Sequence, residues 1–107
     1  MMDCIFCKIR DRVIAKEFTY EDEDVMVFPD IHPIKPIHLL VVPKVHVEDF
    51  LEFNEQELMA KVKKVIDKMI EEQKLNDRGY RISVNGGGAQ VVKHVHFHVM
   101  GPISVND

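Results

Sequence analysis

The sequence has no apolar run approaching the ~18 residues that a membrane-spanning helix needs. It also has no block of Lys or Arg long enough to follow a phosphate backbone. The first absence excludes a spanning helix. The second, with a formal net charge of −4, argues against a nucleic-acid polymer as partner, though not against a single nucleotide. Met1-Met2-Asp3 does not begin a secretory signal, so the expected location is cytoplasmic. Cysteine is scarce. Cys4 and Cys7 are the only two, and in a chain without an export signal their C-x-x-C spacing suggests metal or redox chemistry rather than a structural disulfide. Two reduced thiols are the plainer alternative. No internal repeat and no linker interrupt the chain, so residues 1–107 are expected to form one domain, with enough chain for one core and too little for two.

What is present reads as short strands, one long helix, then more strands. The stretch EFTYEDEDVMVFPD gives two β-prone runs around the acidic cluster Glu21 to Asp24, which suits a hairpin with a solvated turn. IHPIKPIHLLVVPK begins as a proline-stiffened extended loop and ends in Leu39-Leu40-Val41-Val42, the pattern of a strand buried on both faces. Asn54 is the expected N-cap of the long helix, with Glu57 three residues on. Leu58, Val62, Val65, Ile66, Met69 and Ile70 then recur at helical spacing, and the pattern stops before NDRG. Met59 and Met69 are expected to pack rather than to present a ligand surface. YRISV alternates as a strand, NGGGAQ forms a tight loop, and 91–99 alternates again. The fold class is therefore α+β, a mostly antiparallel sheet with one principal helix on a face.

The stretch VVKHVHFHVMGP places His94, His96 and His98 at every second position, half of the chain's six histidines. On a strand such residues share one face about 6.6–6.8 Å apart, while Val95, Phe97 and Val99 enter the core. The outer two then stand about 13 Å apart, which is awkward for one zinc with Zn–N near ~2.0–2.1 Å. An H-x-H pair with a ligand from elsewhere is one solution, and an array of imidazoles facing one substrate is the other. Imidazole can attack phosphorus, donate to a phosphate oxygen or carry a proton. Upstream, Gly86-Gly87-Gly88-Ala89-Gln90 lets backbone N–H groups approach an anion and adds a side-chain amide.

His94-Val95-His96-Phe97-His98-Val99-Met100 resembles the His-φ-His-φ-His-φ-φ signature of the histidine triad nucleotide-binding proteins. CIFCKI, VFPDIHPIKPIHLLVVPKVHV and RISVNGGGAQVVKHVHFHVMGP resemble segments of that family, in its order. The resemblance implies a five-stranded sheet with one long helix, extended across a homodimer that pairs the helix and an adjoining strand. It also implies a nucleotidyl hydrolase or transferase acting at the α-phosphate of purine nucleotides, such as phosphoramidates, acyl-adenylates or dinucleoside polyphosphates.

Residue by residue, His96 resembles the nucleophile and His98 the residue that holds a phosphate oxygen. His94 resembles the first triad histidine, whose carbonyl fixes the His96 tautomer, and His38 the fourth histidine of the pocket. Asp30 resembles the carboxylate that grips the ribose, with Phe28 and Ile31 beside the base and Asn85, Gln90 and Val91 near the phosphate. Family members that begin C-x-x-C-K-I resemble zinc proteins, which implies Zn2+ on Cys4, Cys7, His46 and His94, with His32 a weaker rival to His46. No organic cofactor is implied.

Three departures stand out. The loop from Asn85 to His94 is about two residues shorter than the common pattern, Val91 replaces a Ser or Thr hydroxyl, and the chain ends soon after the triad at Asp107. They keep open a nucleotide-binding regulatory module with little turnover. A small zinc protein whose triad serves the metal is a third reading.

Overall fold

The computed structural model describes residues 4–107; the reading of Met1-Met2-Asp3 concerns residues outside that range. In chain order the elements are α1 (Ile5–Arg10), β1 (Tyr20–Glu21), β2 (Val25–Pro29), β3 (Ile37–Pro43), a 3-10 turn (Phe50–Glu52), α2 (Gln56–Glu72), β4 (Arg81–Val84) and β5 (Phe97–Gly101). The strands form one five-stranded sheet in the order β1-β2-β3-β5-β4. Every neighbouring pair is antiparallel. This is the expected α+β architecture. Among the described residues, no helix is long and apolar enough to cross a membrane.

Strands β2 and β3 read as unbroken apolar runs because both of their faces are covered. Val25, Val27, Leu39 and Val41 face α2, where Leu58, Val62, Val65, Ile66, Met69 and Ile70 close the main core. The alternate residues Met26, Phe28, Leu40 and Val42 face the other way, against Phe6 and Ile9 of α1. The stripe on α2 is therefore buried inside its own chain. Met69 is fully buried as expected, whereas Met59 is 42% exposed and belongs to no core.

Two boundaries differ from the sequence reading. Glu55, not Asn54, is the N-cap of α2, and it makes no side-chain cap bond. Asn54 instead donates from Nδ2 to the Leu51 carbonyl at 3.2 Å, closing the 3-10 turn. The second concerns the histidine stretch. Strand β5 starts only at Phe97, so of the three alternating histidines His98 alone lies within it. Val95 N–H leaves the ladder to donate to the Val47 carbonyl at 2.7 Å. The inward alternation survives this change: Val95, Phe97 and Val99 all enter the α2 core.

Candidate active site and metal cluster

A cavity of about 590 Å³ opens on the α1 face of the sheet, within the ~300–1,000 Å³ common for small-molecule sites. Phe6 and Ile9 from α1, Phe28 from β2 and Leu40 from β3 give it an apolar wall. His38, His96, His98, Asn85 and Ser83 give it a polar one. The strand register explains the juxtaposition. Leu40 and Ser83 lie opposite His98 on either side, and His38 lies opposite Met100.

The hydrogen bonds assign the protons on these imidazoles. Ile34 N–H donates to His38 Nδ1 at 3.1 Å, so that nitrogen is an acceptor and Nε2 carries the proton. His38 Nε2–H points at His98 Nδ1 at 2.9 Å, with Asp30 Oδ2 3.3 Å away. His98 therefore accepts at Nδ1 and carries its proton on Nε2, a buried atom with no partner among the described residues. Burial, with the His96 and His38 rings beside it, holds the His98 pKa below the ordinary imidazole value, against an opposing pull from Asp30. His96 is settled separately. Its Nδ1–H donates to the His94 carbonyl at 2.8 Å, which leaves the Nε2 lone pair free. The site thus holds one imidazole ready to give an electron pair and one ready to give a hydrogen bond.

Below this cavity lies a second cluster. His94 Nε2–H donates to the Pro43 carbonyl at 2.7 Å, so its Nδ1 lone pair faces Cys4 Sγ at 3.5 Å and Cys7 Sγ at 3.6 Å. His46 Nδ1 stands 3.2 Å from His94 Nδ1 and 3.3 Å from Cys7 Sγ. All four donor atoms lie within 4.8 Å of one another. A tetrahedron has edges about 1.6 times its bond length, so Zn–N near ~2.0–2.1 Å and Zn–S near ~2.3 Å require edges of about 3.3–3.8 Å. The four spacings just given, 3.2–3.6 Å, lie close to these edges, and the donor set fits a closed structural zinc site. Burial pushes the His94 imidazole down to about 4, keeping it neutral. Burial and the neighbouring Cys4 push the Cys7 thiol up, so filling the site releases protons.

Helix α1 joins the two sites. Cys4 caps it, its Sγ accepting from Cys7 N–H at 3.4 Å. Arg10 braces its far end on the Lys44 carbonyl at 2.8 Å. Phe6 between them meets His94, His96 and Phe28 edge-on at centroid distances of 5.8, 5.0 and 5.6 Å.

The chain has relatives. Over residues 3–106 it matches the family described as scavenger mRNA decapping enzyme C-term binding. Protein HitA of Neisseria gonorrhoeae is 37% identical over 105 residues, spanning 94% of this chain and 97% of that protein. An uncharacterized HIT-like protein of Methanocaldococcus jannaschii is 44% identical over 99 residues, spanning 91% and 77%. The chain belongs to the histidine triad (HIT) family. Solved structures agree: a HIT family hydrolase from Legionella pneumophila has a TM-score of 0.89 at 35% identity, with 95% of both chains covered. A histidine triad protein from Clostridium difficile gives 0.85 at 38%, covering 94% of this chain and 90% of that one.

As a HIT chain it places most of the anticipated residues together. Phe28, Asp30, Ile31, His38, Asn85, Val91, His96 and His98 all line the cavity, while Cys4, Cys7, His46 and His94 form the cluster and His32 does not join it. Gln90 is the exception. It is turned inward, accepting from Gly88 N–H at 2.9 Å and donating to the Glu48 carbonyl at 3.1 Å. The glycine loop also departs from the anion-cradle expectation. Gly87 N–H donates to Asp49 Oδ1 and Ala89 N–H to the Gly86 carbonyl, so three successive N–H groups are already taken, two within the loop and one by Asp49. A Cβ at Gly86 would stand 2.5 Å from that Asp49 oxygen, which explains glycine there. The sequence reading passed over Phe6, Ile9, Lys16 and Ser83 in the cavity wall. The i, i+3 spacing of Phe6 and Ile9 after Cys4 was their one signal, and a helix of six residues is too short to announce itself.

Proposed function

We propose that this chain is a nucleotidyl hydrolase or transferase, cleaving at the α-phosphate of a purine nucleotide with His96 as the nucleophile. One observation carries the reading. The bond from His96 Nδ1–H to the His94 carbonyl leaves Nε2 unprotonated in a cavity wall where His98 Nε2–H has no partner among the described residues. A base would lodge against Phe28 and Ile31, and Asp30 would accept from the ribose hydroxyls. Asp30 Oδ1 already accepts from His32 N–H at 2.8 Å, which holds the carboxylate in place and leaves lone pairs to spare.

In the first step the Nε2 lone pair of His96 attacks phosphorus. An N–P bond forms, and the bond to the leaving group breaks with its electron pair. The departing amine, acid or phosphate takes a proton from solvent where it needs one. His98 Nε2–H donates to a non-bridging oxygen throughout. Water then attacks the nucleotidyl-histidine, the N–P pair returns to His96, and the water loses a proton to solvent. Zinc held by Cys4, Cys7, His46 and His94 would be structural, fixing the His94 carbonyl on which the tautomer depends.

We further propose a cytoplasmic homodimer. The support for the dimer is β4, an edge strand of the sheet, with Ile82 within it 42% exposed and Tyr80 just before it 46% exposed. Light scattering that returned a monomer at micromolar concentration would refute it.

A binding module with little turnover is the second reading. It is favoured by Val91, which offers no hydroxyl, and by a glycine loop whose donors are already engaged. One experiment separates the two. Wild-type protein mixed with a slow nucleoside phosphoramidate and held at alkaline pH, where the N–P bond survives, should show a nucleotidyl adduct by intact mass. The adduct should map to the peptide containing His96 and vanish in His96→Asn. Nucleotide binding without an adduct or turnover would establish the module instead.

A further inference from the structure

The ammonium of Lys16 stands 5.2 Å above the ring of Phe28 in the apolar wall of the cavity. Arg12 and Lys44, by contrast, are paired, each reaching Glu21 at 2.7 Å. No described carboxylate pairs with Lys16. Asp30, the acid that shares the cavity, is held instead by His32 N–H and His38 Nε2. Lys16 therefore offers three donors and a full charge beside an aromatic wall of the cavity.

We propose that Lys16 selects the base, favouring purines that carry an oxygen at C6 over those that carry an amine there. The inference rests on the nucleotide reading above. On a 6-oxopurine, N7 and O6 are adjacent acceptors, and one ammonium serves both. On a 6-aminopurine, the second position is a donor that meets the cation unfavourably. A cation over the ring face of Phe28 is held by the quadrupole and still able to turn its N–H groups toward an incoming base edge. Phe28, Phe6 and Ile9 grip any purine alike, so discrimination falls to the cation beside them.

Calorimetric titration with GMP, IMP and AMP tests this on wild type, Lys16→Met and Lys16→Arg. Wild type should bind GMP and IMP about five- to ten-fold more tightly than AMP, the lower part of the range for one base-edge contact. Lys16→Met, which keeps the stem, should remove that preference by weakening GMP and IMP while leaving AMP within about two-fold, and Lys16→Arg should restore it. Equal affinities in wild type would overturn the proposal. So would a uniform loss for all three in Lys16→Met, which would mark a phosphate contact, or a GMP preference that IMP does not share, which would place recognition at the 2-amino group. If wild type binds none of the three, the nucleotide reading itself fails and this inference falls with it.

Discussion

The two faces of the sheet are built from the same strands and do different work. The α2 face meets a seventeen-residue helix and closes over aliphatic side chains. The α1 face meets six helical residues, too few to cover it with hydrocarbon alone. What remains is filled by His38, His94 and His96, all buried and all hydrogen-bonded. A chain of this size has one large core to stabilise it. With the larger core on one side, the smaller apolar cluster on the other leaves room for groups that cost desolvation and bind something. Strand alternation enforces the division, sending Phe97 and Val99 one way and His98 the other.

If the division is real, each face should fail in its own way. The largest effect should come from His96→Asn, which should lower kcat by ~10³-fold or more, ~4 kcal/mol in the barrier, with nucleotide affinity retained. A thermal midpoint close to wild type would confine the damage to chemistry. On the opposite face, Met69→Ala should cost about 2–5 kcal/mol of stability, read from urea unfolding, because the side chain is fully buried. Its kcat at a temperature where the variant is folded should be unchanged. A drop in kcat would mean that the two faces are not independent. Asp30→Ala should raise KM about ten-fold, ~1.4 kcal/mol, and spare kcat, since a ribose on this carboxylate would be held equally in ground and transition states. A fall in kcat at constant KM would assign the carboxylate to chemistry.

The smallest effect is on the acid side. The folded chain holds the His98 imidazole below its ordinary value, so below about pH 6.5 the unfolded chain takes up a proton that the folded one refuses. Stability is full above that pH and declines as the pH falls through the window beneath it. Unfolding midpoints measured across that window should slope for wild type and slope less for His98→Gln. An unchanged slope would show that His98 titrates alike in both states.

Much of this was legible in the residues. The six buried positions of α2 were readable because a 3.6-residue period persists over four turns. Leu39 to Val42 announced a strand covered twice, and the alternation around His96 and His98 marked both the wall and the core. Other features are tertiary and left no periodic trace. Helix α1 depends on Cys4 as its cap and on packing under Phe28. The true start of β5 depends on Val95 N–H finding the Val47 carbonyl forty-eight residues away. The glycine loop reads as an anion cradle until Asp49, far off in sequence, is seen to occupy its N–H. Asn54 lost its cap role to a local competitor, the turn that it closes.

His94 belongs to both sites at once: its ring faces the thiols, and its carbonyl takes the proton of His96. Phe6 doubles that bridge from α1, touching both histidines and the Phe28 wall. Two sites that share a residue in this way share a free energy. Whatever factor a metal ion adds to nucleotide affinity by ordering α1, a bound nucleotide must return to the affinity for the metal. If the cluster holds an ion and that coupling is positive, stripping it should need more chelator in the nucleotide-loaded protein than in the empty one. The nucleotide would act as a lock on an ion that it never touches.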